Sequence, residues 1–140
     1  MTSPPPDALP GESDGAERPL VLIVDDNEKN LKLARDVLRA GGFRTLEAVT
    51  GAAGIALATK YLPDVILMDL RLPDINGADV ARNLGEQART ARIPIVGLSS
   101  VALGEGDWFL AAGFAGYLEK PISVAEFAGQ VRRYCRGHRR

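Results

Sequence analysis

This 140-residue sequence predicts a doubly wound α/β fold, five parallel strands with helices on both faces, and three observations carry that prediction. Short unbroken apolar runs rich in Val, Ile and Leu recur along the chain, as expected of strands covered on both faces. Stretches with apolar residues at helical spacing separate them. Five such pairs fit between residues 20 and 136, and parallel strands joined through helices need connections of this length. The crossovers should be right-handed.

The first run is Leu20–Val24, ended by Asp25 and Asp26. A helix follows with Leu31, Ala34, Val37 and Leu38 on one face, and Gly41-Gly42 is its stop signal. Residues 43–49 read as the second strand. Residues 52–61 form a short helix with Ala53, Ala56 and Leu57 inward, closed by Pro63. Residues 65–68, ended by Asp69, are the third strand, and 78–87 the third helix, with Val80, Ala81 and Leu84 inward. The fourth strand is 93–98. A weakly patterned helix over 102–112 and a brief strand over 115–118 come next. In the last helix Val124, Phe127, Ala128, Val131, Tyr134 and Cys135 fall at spacings of three and four, with Ser123 as N-cap.

The composition, 46% hydrophobic and 25% charged, is that of a globular domain. The 17 basic and 18 acidic residues nearly cancel, so no overall charge calls for a nucleic-acid or membrane partner. Residues 1–19, with Pro4, Pro5, Pro6, Pro10 and Pro19, hold too few apolar groups to offset ordering and are expected to be a disordered tail. Residues 20–136 are expected to make the domain and 137–140 a basic tail, with no output module expected. Neither a secretory leader nor an apolar span of ~18 residues is present, and the lone Cys135 cannot form an intramolecular disulfide, so a cytoplasmic protein is expected.

Ligands of open α/β sheets bind beyond the carboxyl ends of the strands. Asp25 and Asp26 after the first strand and Asp69 after the third converge there if those strands are neighbours. Three like charges repel, and a divalent cation would offset the repulsion; oxygen ligands without His or Cys favour Mg²⁺ or Mn²⁺. Each acid alone also suits a turn or a helix cap. Ser99 and Ser100 end the fourth strand, and Lys120, held extended by Pro121, follows the fifth. A lone Lys-Pro pair more commonly marks a solvated lysine. Together the set describes phosphoryl transfer to a carboxylate: Asp69 as nucleophile, Asp25, Asp26 and the Arg71 backbone carbonyl with Asp69 on the metal, and Ser99 and Lys120 on the phosphoryl oxygens.

Four segments carry a resemblance: Val24-Asp25-Asp26-Asn27-Glu28, Leu67-Met68-Asp69-Leu70-Arg71-Leu72-Pro73-Asp74, Ile93-Pro94-Ile95-Val96-Gly97-Leu98-Ser99-Ser100 and Gly116-Tyr117-Leu118-Glu119-Lys120-Pro121. Over residues 20–136 the chain resembles the response-regulator receiver domains of two-component signalling, in their stand-alone form. The resemblance implies a flavodoxin-like (CheY-like) sheet of order 2-1-3-4-5. It also implies phosphorylation of Asp69 by a histidine kinase or phosphotransfer protein with Mg²⁺. Ser99 would then be drawn toward the phosphoryl group and Tyr117 turned inward, altering a surface read by a downstream protein. That surface, made by the fourth helix, fifth strand and fifth helix, is also where a homodimer would form. Tyr117 equally reads as a partly buried edge-strand aromatic.

Two positions depart from the family pattern. Ser100 stands where a small apolar residue is usual, and 101–112, with Gly104 and Gly106, is glycine-rich and about one residue short. Trp108 suits either a partner anchor or a cover for the core. A phosphatase with an aspartyl-phosphate intermediate needs an acid two residues after the nucleophile, where Arg71 stands, so a signalling module rather than an enzyme is expected. An adaptor that keeps the fold without phosphorylation is the alternative. Nucleic-acid binding through Arg132, Arg133, Arg136, Arg139 and Arg140 competes with a plain basic helix end favoured by the dipole.

Overall fold

A computed structural model describes residues 18–70, 72, 74–75, 77–99 and 113–135. The strands are β1 (Leu20–Val24), β2 (Arg44–Ala48), β3 (Val65–Asp69), β4 (Ile95–Ser99) and β5 (Gly116–Glu119). Among the described residues the helices are α1 (Glu28–Ala40), α2 (Gly51–Tyr61), α3 (Gly77–Gly85) and α4 (Phe127–Tyr134). All neighbouring strands pair in parallel, in the order β2-β1-β3-β4-β5. The expected helix over 102–112, with Trp108, and also Ser100 and Arg71 lie outside the described residues.

Strand alternation splits the core in two. Leu22 and Val24 of β1, Ile66 and Met68 of β3 and Ile95 of β4 pack with Ala58, Val80 and Leu84 of α2 and α3. Val21, Ile23, Val65, Leu67, Val96 and Leu98 face the other way, onto Leu31, Ala34 and Leu38 of α1 and Phe127 and Val131 of α4. Every residue of β1, β3 and β4 is buried, which is why their sequences are near-continuous apolar runs. Asn27 caps α1 by accepting from the amides of Lys29 and Asn30 at 2.9 and 3.1 Å. Gly42, at φ +96°, turns the chain out of that helix.

Two helix readings need correction. On α2 the inward residues are Gly51, Gly54 and Ala58; Ala53 and Leu57 are half-buried, and Ala56 faces solvent. The helix approaches β1 so closely that a Cβ on Gly54 would lie 2.9 Å from Val24 Cγ2, so the face of closest approach is the one with least side chain. At the other end, α4 begins at Phe127, and Ser123 does not cap it: its carbonyl accepts from the amides of Glu126 and Phe127. The turn over 124–126 bridges the strand end and the first core contact, which leaves Val124 65% exposed rather than inward.

Arg132 ties α4 to α1. Its Nη2 donates to the Gly41 carbonyl at the end of α1, and its guanidinium lies 4.5 Å from the centroid of the Phe43 ring. Loss of a charge-assisted hydrogen bond and a cation–π contact predicts that Arg132→Ala is less stable by about 1.5 kcal/mol, read from urea unfolding. Burial, reinforced by the charge of Asp64, pushes the Cys135 thiol up to about 12. Native protein should therefore resist iodoacetamide at pH ~8 and react once denatured. Among the described residues no helix is long and apolar enough to cross a membrane.

Candidate functional site

The order of the sheet brings the predicted acids together. β1 lies between β2 and β3, and the Val24–Met68 register sets Asp25, the residue after β1, beside Asp69, the last residue of β3. One carboxylate oxygen from each of Asp25, Asp26 and Asp69 lies within 4.8 Å of the others. Asp25 and Asp69 are buried and Asp26 is exposed. Asp25 Oδ1 accepts from the Asn27 amide at 2.9 Å, which holds the carboxylate against the turn leading into α1.

Lys120 reaches the same point from the far side of the sheet. Its Nζ is 3.1 Å from Asp25 Oδ2 and 3.4 Å from Asp69 Oδ2. Its amide donates to the Ser99 carbonyl at 2.7 Å, which extends the β4–β5 ladder by one rung and fixes where the lysine starts. Ser99 is the last residue of β4 and buried. Tyr117 is half-buried on β5 opposite Gly97, so it shares a sheet face with Ser99 two residues further along. A groove of about 510 Å³ beside it is lined by Tyr117, Leu118, Lys120, Pro121 and Gln130.

The donor set suits a small hard cation. Among the described residues three carboxylates converge here and Lys120 pairs with two of them, while Asp25 Oδ2, although ion-paired, is buried without a hydrogen bond. An octahedral ion at ~2.1 Å from each oxygen holds adjacent ligands ~3.0 Å apart and opposite ones ~4.2 Å apart, and these ligand atoms, all within 4.8 Å of one another, are near that range. A cation here would complete the solvation of that oxygen and balance the excess negative charge.

One participant escaped the sequence reading. Asp74, in the loop after β3, accepts from the amides of Gly51 and Ala52 at 2.8 and 3.0 Å and so caps α2 from 23 residues away. Those bonds, the Gly51 one foremost, hold the Asp74 carboxyl below the usual carboxylate value. The folded value lies below the unfolded one, so the stabilisation is complete above pH ~4 and is lost as pH falls through the folded value. Wild type should therefore exceed Asp74→Asn in melting temperature near neutrality, with the gap closing as pH falls through the folded value.

The sequence profile of the response regulator receiver domain matches residues 21–132. The chain belongs to that family. Among curated proteins, this receiver domain is 36% identical over 115 residues to the polar-differentiation response regulator DivK of Brucella ovis, covering 81% of this chain and 94% of that one. The DivK of Brucella anthropi matches to the same extent. Among solved structures, the chemotaxis response regulator CheY4 of Vibrio cholerae superposes with a TM-score of 0.79 at 25% identity, over 84% of this chain and 98% of that one. The receiver domain of the sensor histidine kinase PA1611 from Pseudomonas aeruginosa PAO1, with magnesium coordinated in its active-site cleft, reaches a TM-score of 0.75 at 34% identity. That match covers 84% of this chain and 97% of that one. The receiver domain is thus a two-component signalling module with a CheY-like fold.

Proposed function

We propose that this receiver domain accepts a phosphoryl group on Asp69 from the phosphohistidine of a histidine kinase or phosphotransfer protein. The carboxylate oxygen attacks phosphorus as the bond to the imidazole nitrogen breaks, leaving an aspartyl phosphate and a free histidine on the donor. Asp25, Asp26, Asp69 and the Arg71 carbonyl would hold Mg²⁺, which when bound would supply positive charge toward the transferred group. Lys120 neutralises what remains by shifting from the carboxylate pair to a phosphoryl oxygen, and Ser99 donates its hydroxyl to another. Movement of Ser99 draws Tyr117 inward on the shared sheet face and alters the surface offered to a downstream protein in the cytoplasm. At most the domain catalyses its own phosphorylation and dephosphorylation, and nothing in this scheme requires nucleic acid or membrane.

The observation that carries this reading is Lys120 held between Asp25 and Asp69 at the ends of three strands. The magnesium-bearing cleft of the PA1611 receiver domain adds support for the metal. Incubation with a small phosphodonor should attach one phosphoryl group when Mg²⁺ is present and none when it is chelated. A phosphoryl group mapped away from Asp69, or attached equally with chelator, overturns the proposal.

A further inference from the structure

We infer that Asp74 is a positioning residue for the Asp69 site: its carboxylate clasps the loop leaving β3 to the first turn of α2, and this clasp sets the pocket's affinity for a divalent cation. The inference rests on the proposed metal-assisted phosphorylation. Both oxygens of Asp74 are engaged by consecutive amides, those of Gly51 and Ala52, while Thr50 Oγ1 accepts from Ala53. Beside this polar clasp is an apolar one. A Cβ on Gly51 would fall 2.1 Å from Ile75 Cγ2 and 3.0 Å from Val80 Cγ2, so Ile75 occupies the space that any larger residue at 51 would need.

The clasped loop bears directly on the acceptor. A Cβ on Gly77 would lie 3.3 Å from the Asp69 carbonyl oxygen and from Leu70 Cα, so the residue that opens α3, three on from Asp74, packs on the backbone of Asp69 itself. Leu70, the next residue, fills the notch over Gly97 on β4, 3.0 Å from where a Cβ would stand. The helix that receives the clasp is also the one seated on Val24 through Gly54, immediately before Asp25. Asp74 therefore references the strand end carrying Asp69 and the strand end carrying Asp25 to a single rigid helix. Asp74 is exposed, so removing its carboxylate leaves no core cavity to confuse the outcome. A loosened loop must instead be ordered each time the cation binds, and that cost appears as weaker binding.

The test is calorimetric titration of the full chain with Mg²⁺, using wild type, Asp74→Ala, Asp74→Asn and Gly51→Ala. Asp74→Ala should bind about tenfold more weakly, the lower end of what loss of a supporting contact costs a metal site. Asp74→Asn, which keeps one acceptor oxygen, should fall between. Phosphorylation of Asp74→Ala should slow at low Mg²⁺ and recover at high Mg²⁺, which loss of a mere helix cap would not produce. Gly51→Ala leaves the carboxylate intact but displaces Ile75, and should weaken Mg²⁺ binding as well; it decides the matter if Asp74→Ala fails to fold. Wild-type affinity in folded Asp74→Ala, or in Gly51→Ala when Asp74→Ala does not fold, overturns the clasp alone. A wild type that binds no Mg²⁺ overturns the clasp and the proposed function together.

Discussion

Asp69→Asn is expected to carry no phosphoryl group from any donor while remaining fully folded. The substitution keeps the shape of the side chain and replaces the attacking oxygen anion with an amide, a far poorer nucleophile. None of the neighbouring carboxylates should substitute. Asp25 is ion-paired to Lys120 and hydrogen-bonded to the Asn27 amide, and Asp26 is exposed rather than enclosed. The same change should stabilise the metal-free protein. Among the described residues Asp69 lies close to the carboxylates of Asp25 and Asp26 and 3.4 Å from the Lys120 ammonium, so its neutralisation relieves two repulsions while giving up that ion pair. The gain should be about 1 kcal/mol, the size of one contact between charges near 4 Å in a water-like medium. Loss of phosphorylation accompanied by a lower melting temperature would contradict this account of the pocket's charge.

Lys120→Met should have the largest effect on stability. Asp25 is 1% exposed, and its Oδ2 has the lysine ammonium as its ion-pair partner at 3.1 Å. Removing one partner of a buried pair leaves a charge that is neither solvated nor balanced, and costs about 3 kcal/mol. Urea unfolding without metal should show that loss. Saturating Mg²⁺ should restore part of it, because a cation bound only by the folded state stabilises it by mass action and supplies the missing positive charge. Phosphorylation should still fall on the order of 10²-fold, since a donor aimed at developing charge is lost from a preorganised site. An unfolding midpoint equal to wild type would show that Asp25 does not depend on the lysine.

The parallel sheet was legible because β1, β3 and β4 are buried along their whole length, so burial writes unbroken apolar runs into the sequence. The acids were legible for a related reason: a charged residue that ends such a run stands at the carboxyl edge of the sheet, where sites form. What remained hidden has a physical cause in each case. The inward face of α2 is marked by Gly51 and Gly54, and a search for apolar side chains cannot detect a face defined by having none. Asp74 caps a helix whose first residue lies 23 positions before it, whereas capping rules look only to the residues next to a helix's start. Ser123 has the composition of an N-cap, but the chain needs one more turn before Phe127 can reach the core.

The sheet that divides the core also isolates its two halves. Val21 and Ile23 answer to α1 and α4, Leu22 and Val24 to α2 and α3, and among the described residues no side chain belongs to both clusters. A substitution on one side reaches the other only through strand spacing, so paired substitutions across the sheet should combine almost additively. The two faces are then free to drift on separate evolutionary schedules, one diversifying while the other is held constant. Wide divergence under an unchanged architecture is the natural result, as in the superposition on the Vibrio cholerae protein with only a quarter of the residues shared.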